Sequence, residues 1–536
     1  MSESVVTDRG MVVAPHAAAA LAGAEILGAG GTAIDAMIAA AATIAVVYPH
    51  MNHLGGDGFW LIAEPGRPPR AIRACGPAGA NATVARYHQA GFGAIPTRGP
   101  LAALTVPGAV GGWALAHEFA GSIGGGLPLT ELLGAAIGHA KAGTRVSRSQ
   151  SRLTAEKFDE LAGQPGFAEV FLVDGQAPRP GAVLRQERLA DTLDHLAHEG
   201  LGRFYRGDVG AALADDLRRI GSPVTRADIE AFRASMVTPL SVRLKVGTVF
   251  NQPPPTQGLA SLIILGLYDR LGVDHPESFD HIHGLVEATK RAFIVRDRII
   301  RDPATMAEAP ETFLTPQWLD RAADRIDRRR AASWPHRGEP GDTVWMGAVD
   351  ASGVAVSYIQ SIYHEFGSGV VSPRTGVLMQ NRGASFALEP PAANLLAPGR
   401  LPFHTLNPAL ARLDDGRTVV YGTMGGDGQP QTQAAIFSRA ILHGSGNGGD
   451  GDPWAAIDAP RWLLGRTWGS STTALRLENR FDPDLVRALE RAGHEVEVQA
   501  EGWSDTMGHA GMIIRRADGR LTGAHDPRAD GGGAVG

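Results

Sequence analysis

Cysteine is almost absent: Cys75 is the single one in 536 residues. That excludes an internal disulfide and leaves no thiolate cluster for a metal. Basic charge is not in excess, with 50 Lys and Arg against 56 Asp and Glu, a net charge of −6 and a pI of about 6.3. Nothing in that balance supplies a surface for nucleic acid. The most apolar run, Ala36 to Val47, lies between Asp35 and Tyr48-Pro49. It is far short of the ~20 residues a membrane span needs, so it predicts a buried helix. Met1 to Arg9 lacks the charged and apolar regions of a signal peptide, which gives a cytoplasmic expectation. The chain shows no internal repeat. Gly444 to Asp452 is glycine-rich, but no strand leads into it and no Lys-Ser/Thr follows, so it is no phosphate cradle. Cys75, within Arg73-Ala74-Cys75-Gly76-Pro77, reads as a small core residue; no histidine at informative spacing marks it as a nucleophile.

What is present is a junction. His336-Arg337-Gly338-Glu339-Pro340-Gly341-Asp342, part of a linker over Asp327 to Asp342, runs into the strand pattern Thr343 to Asp350. Were the Asp342–Thr343 peptide bond cut, Thr343 would carry a free α-amine beside its own hydroxyl, and the amine could act as base. Taken alone, the tripeptide reads more simply as a loop entering a strand. The turn signal Asp350-Ala351-Ser352-Gly353 and a second strand pattern, Val354 to Ser361, follow. Antiparallel pairing about that turn returns Ser361 alongside Thr343. Further on, Arg417 to Val420 reads as a strand ending near Gly425-Gly426, whose backbone N–H groups suit a developing oxyanion, although a plain turn fits as well.

A resemblance then connects these pieces. Gly30 to Ala36, Tyr48-Pro49-His50, Leu54-Gly55-Gly56-Asp57-Gly58-Phe59, Pro253 to Gly258, Val286 to Phe293, Phe366 to Gly369 and Gly425-Gly426 stand in the order of the γ-glutamyltransferase family. The likeness runs from about Met11 to Gly523. It implies an N-terminal-nucleophile hydrolase: a proenzyme that cuts itself ahead of a threonine, in an α+β fold with a four-layer αββα sandwich. Residues 1–342 would be the large fragment and 343–536 the small one, together one interleaved domain. By resemblance Thr343 is the nucleophile, Ser361 its supporting hydroxyl, Gly425 and Gly426 the oxyanion hole, and Asp342–Thr343 the self-cleavage site.

The pocket departs from the glutamyl pattern. The arginine that should follow Asn81-Ala82-Thr83 is Val84, and the acidic pair falls on Ala384 and Ser385. Tyr363 replaces an asparagine, Arg382 a glutamine, and His404 and Thr405 a serine pair. A site without carboxylates but with a guanidinium should reject an ammonium group and prefer a compact anion. Arg382 is therefore expected to clamp a carboxylate, with a structural ion pair as the alternative, and Tyr363, His404, Thr405, Asn381 and Asn407 are either further substrate contacts or packing; Arg73 and Arg86 are alternative partners. Ser357 to Gly369, Gln380 to Ala384, Phe403 to Pro408 and Arg461 to Trp468 resemble the oxamate-hydrolysing branch of the family, which implies a role in purine catabolism. Expected partners are a small anionic amide, the companion fragment and, left open, a second copy of the chain; neither nucleic acid nor membrane is expected. No metal and no cofactor is expected, because every step uses protein groups. A γ-glutamyl hydrolase or transferase, a glutaryl-type acylase, and a non-processing binding or scaffold protein remain as alternatives.

Elsewhere the patterns predict helices over His16 to Leu27, Thr32 to Val47 and His281 to Ile300, and a mainly helical stretch from Leu129 to Phe232. Phe59 to Ala63 reads as a strand and Pro65 to Pro69 as a loop. Asp414-Asp415-Gly416 and Asp518-Gly519 read as hairpin turns. Arg321 to Arg330 reads as a charged helix end or linker, and Gly531 to Gly533 as a frayed tail.

Overall fold

The computed structural model describes residues 3–334, 342–390, 392–444, 451–465, 472–530 and 532–535. Three features named above, the stretch 335–341, most of the glycine-rich loop (445–450) and Arg466 to Trp468, lie outside the described residues.

Two seven-stranded antiparallel sheets form the centre. One runs, edge to edge, through Val5–Thr7, Leu521–His525, Ala510–Arg515, Thr418–Thr423, Ala409–Leu413, Gly247–Asn251 and Leu240–Leu244. The other runs through Gly533–Val535, Gly10–Ala14, Asp342–Asp350, Ala355–Tyr363, Asp57–Ala63, Arg70–Ala74 and Ser235–Val237. The two-residue period of strands explains the layering. Trp345 and Ile359 of the second sheet meet Leu410, Val420 and Ile513 of the first, in a core between the sheets. Val344, Met346 and Tyr358 point the other way, into a core with Ala33–Val47 and Ala109–Ser122. Ala409, Ala411, Val419 and Tyr421 face a third core under Gly258–Leu271 and Phe279–Ile299. Helix, sheet, sheet, helix is the order, so the fold is the αββα sandwich.

Local chemistry sets the elements that hold the junction. Thr32 caps Ala33–Val47 and exchanges hydrogen bonds with Asp35, a capping box that satisfies two end N–H groups. Asp350, in the hairpin turn, accepts from Ala33 N–H at 2.9 Å and from Val354 N–H at 3.0 Å, fastening the hairpin to that helix. Gly353 takes a φ of +92° to complete the turn, a conformation that favours glycine. Both other predicted hairpins form.

One expectation is overturned. Gly533, expected in a frayed tail, belongs instead to the edge strand Gly533–Val535, with Gly533 opposite Ala14 and Val535 opposite Val12; Gly531 lies outside the described residues. The unpaired edge of Gly10–Ala14 offers backbone partners that a reading of glycine content misses.

Candidate active site

Thr343 is the second residue of Asp342–Asp350 and is buried. The hairpin pairs Val344 with Gln360 and Met346 with Tyr358, but Asp342 faces Tyr363, so the register slips by one residue at Thr343. A bulge of this kind re-aims a side chain. Ser361 is brought level with Thr343, as the spacing predicts, and its Oγ accepts from Tyr363 N–H at 2.7 Å. Tyr363 itself has φ +82°, left-handed backbone that is uncommon outside glycine. On its other side Ser361 pairs with Asp57. A Cβ at Gly56 would lie 2.2 Å from Ser361 O, and one at Gly55 2.1 Å from Leu378 O. That explains the adjacent glycines of the N-terminal signature.

The facing sheet supplies the second half of the site. Strand Thr418–Thr423 leads into Gly425 and Gly426, with φ +117° and +53°, and the chain then enters helix Gln429–Phe437. Among the described residues, neither glycine N–H donates to another group. Gln429, first residue of that helix, donates from Nε2 to Thr343 Oγ1 at 3.4 Å. The first turn of that helix therefore lies close to the hydroxyl. Gln257 holds the turn by donating to Gly426 O at 2.8 Å, and Arg296 joins Gln257 Oε1 to Asp427, each at 3.0 Å.

Arg382 is wholly buried. Its guanidinium carbon lies 3.3 Å from the centre of the Tyr363 ring, and it donates to Phe403 O at 3.1 Å and Thr405 Oγ1 at 3.2 Å. His404 sits between those two anchors and meets Asp57 Oδ2 through Nε2 at 3.0 Å. Asp57 Oδ1 accepts from Gly76 N–H, Gly108 N–H and Gln380 Nε2. Burial pushes the Asp57 carboxyl up to about 7 against these hydrogen bonds and Arg382, and burial together with Arg382 holds His404 well below its ordinary value. The imidazole is thus neutral.

The remaining expected contacts divide. Asn381 accepts from His364 N–H and donates to Thr97 O, so both ends of its amide hold backbone. Asn407 donates to Ser261 Oγ at 2.6 Å. Arg86 donates to Gly221 O, and Val84 opens helix Val84–Gln89 behind the cap Thr83. Arg73 lies in strand Arg70–Ala74 opposite Phe59. The thiol of Cys75 is raised by burial, which opposes a thiolate. Sequence reasoning missed Asp57, Gln429, Gln257 and Arg296. All four stand in or near the quoted motifs, but only their partners across the fold give them roles.

Among the described residues one cluster has metal-ligating side chains: His283, Glu287 and His494, all buried. His283 Nδ1 meets His494 Nε2 at 2.8 Å, and the Lys290 ammonium lies 2.7 Å from Glu287. That ammonium already supplies the positive charge the carboxylate needs. No helix among the described residues is long and apolar enough to cross a membrane.

Residues 19–536 match the family described as Gamma-glutamyltranspeptidase. The chain belongs to the γ-glutamyltranspeptidase family. Among its relatives are the oxamate amidohydrolase proenzyme of Klebsiella pneumoniae subsp. pneumoniae, 53% identical over 535 residues and 100% of both chains. The glutathione hydrolase-like YwrD proenzyme of Bacillus subtilis is 40% identical, again over 100% of both. Of solved structures, the cephalosporin acylase from Bacillus halodurans superposes with a TM-score of 0.90 at 31% identity, covering 100% of this chain and 97% of that one. The chain is accordingly an amidohydrolase of this family.

Proposed function

We propose that the chain cuts itself between Asp342 and Thr343 and that the freed threonine hydrolyses a small anionic amide, oxamate and water giving oxalate and ammonia. The carrying observation is a fixed guanidinium: Arg382 lies on Tyr363 and is held by Phe403 O and Thr405, beside Ala384 and Ser385, where the family resemblance puts the acidic pair that glutamyl enzymes use for an α-amine. A fixed guanidinium suits a carboxylate. Full-length similarity to an oxamate amidohydrolase supports the same substrate.

In the precursor, Thr343 Oγ attacks the Asp342 carbonyl, the acyl group moves from N to O, and water releases the large fragment. In the mature enzyme the Thr343 amine takes the hydroxyl proton as Oγ attacks the substrate carbonyl. The same amine then protonates departing ammonia. Gly425 and Gly426 N–H groups receive the oxyanion, each such donor being worth ~2.7 to 4 kcal/mol. Ser361 supports the hydroxyl, water hydrolyses the acyl-threonine, and Arg382 with Thr405 and Tyr363 holds the substrate carboxylate. His404, braced by Asp57, shapes the neighbouring wall. Asn381 acts by positioning the His364 and Thr97 backbones rather than by touching substrate.

Denaturing electrophoresis tests the first step: fragments of 342 and 194 residues are expected from wild type, and one band from Thr343→Ala. A single band from wild type would favour a non-processing binding protein. Ammonia release from oxamate, set beside a γ-glutamyl anilide and a glutaryl amide, tests the substrate. The glutaryl reading draws on the likeness to a cephalosporin acylase, and faster turnover of that amide would replace oxamate.

A further inference from the structure

We infer that Gln429 is a catalytic residue for the second half of the reaction: its side-chain amide donates to Thr343 Oγ and steadies that oxygen as it leaves the acyl-enzyme. The inference rests on Thr343 being the nucleophile.

Three glutamines stand at alternate positions of one buried segment. Gln431 is used at both ends by Leu464, accepting from its N–H at 2.7 Å and donating to its carbonyl at 3.2 Å. Gln433 accepts from Asn251 Nδ2 at 3.3 Å and donates to the Asn407 carbonyl. These two tie the helix to its neighbours. All three are fully buried, but Gln429 differs in its partners: its Nε2 reaches Thr343 Oγ1, and its Oε1 has no partner among the described residues. A buried amide is not left half-used without consequence, because an unpaired polar atom away from water costs stability. The hydrogen bond it donates goes to the hydroxyl of the nucleophile and not to backbone, which fits a working group rather than a brace.

The direction of the hydrogen bond selects the step. A donor on Oγ draws electron density from the oxygen, which does not help it attack. It does help the same oxygen depart. In deacylation, water adds to the ester carbonyl and its proton passes to the Thr343 amine. The C–Oγ bond then breaks, the electron pair stays on Oγ, and the ammonium returns a proton to it. Gln429 N–H meets the charge on Oγ while that proton is in transit. The long 3.4 Å separation leaves room for the bond to shorten as charge builds.

The test uses the self-cleaved protein with Gln429→Met, which keeps length and removes the donor, and Gln429→Glu, which keeps shape and replaces the donor with an acceptor. Each is first shown to give the 342- and 194-residue fragments, and rates are counted per cleaved site. The expected result is a fall in kcat of about tenfold. With it the 194-residue fragment should accumulate an acyl adduct, seen by mass spectrometry during turnover, while the single-turnover acylation rate stays within about twofold of wild type. A kcat within about twofold of wild type, or a fall without the adduct, overturns the inference. Thr343→Ala separates the two readings: if it keeps activity, the nucleophile is misassigned. If it is inactive while both Gln429 variants turn over normally, only the role of Gln429 is lost.

Discussion

At Asp57, burial and hydrogen bonding pull in opposite directions, and burial wins. The group titrates at about 7 in the fold against 3.8 in the unfolded chain. Between those values the folded protein holds a proton that the unfolded chain has lost, so this contribution to stability is complete below the lower value and is lost as pH rises toward 7. Asp57→Asn should flatten that part of the stability profile, measured by urea unfolding at about pH 5 and about pH 8. A second residue-scale prediction concerns Arg382, whose planar group stacks on Tyr363 while bonding Phe403 O and Thr405. Lysine cannot reproduce a stacked fork. Arg382→Lys should raise KM for oxamate by about tenfold or more while self-cleavage continues, read from initial rates on matured protein.

The strand that carries Thr343 is held in place by Trp345. Its ring fills the space between the sheets, and its Nε1 donates to Ser357 Oγ at 2.9 Å. Gly422 and Gly511 of the facing sheet leave that space open: a Cβ would sit 2.2 Å from the ring at Gly422 and 2.3 Å at Gly511. Gly422→Ala should therefore overpack the core, costing about 1–3 kcal/mol in urea unfolding. Because Trp345 lies two residues from Thr343, the same change should slow self-cleavage, followed by the appearance of the 194-residue band. The alternation that predicts two strands here is legible because one face of each strand is buried differently from the other. Which glycines accommodate the tryptophan is not legible, since they lie on strands far along the chain.

Across the whole molecule, strands from before and after the proposed cleavage point share both sheets. Asp342–Asp350 and Ala355–Tyr363 lie between Gly10–Ala14 and Asp57–Ala63, while Ala409–Leu413 borders Gly247–Asn251. Neither fragment can close a sheet alone. The cleaved protein should elute as one species and unfold in one transition, and residues 343–536 expressed alone should fail to fold, as circular dichroism and size-exclusion chromatography would show.

From the sequence alone came the hairpin that sets Ser361 beside Thr343, the helix start at Thr32, and the glycine pair after Thr418–Thr423. Each depends on neighbours in the chain, where a two-residue period, a turn and a cap fix geometry without further help. Tertiary structure alone decided that Gln429 reaches Thr343, 86 positions away, and that His404 meets Asp57, 347 positions away. Those meetings depend on how one sheet lies on the other. That stacking is set by the fit of Trp345 against Gly422 and Gly511, a matter of volume between distant strands that no local pattern encodes.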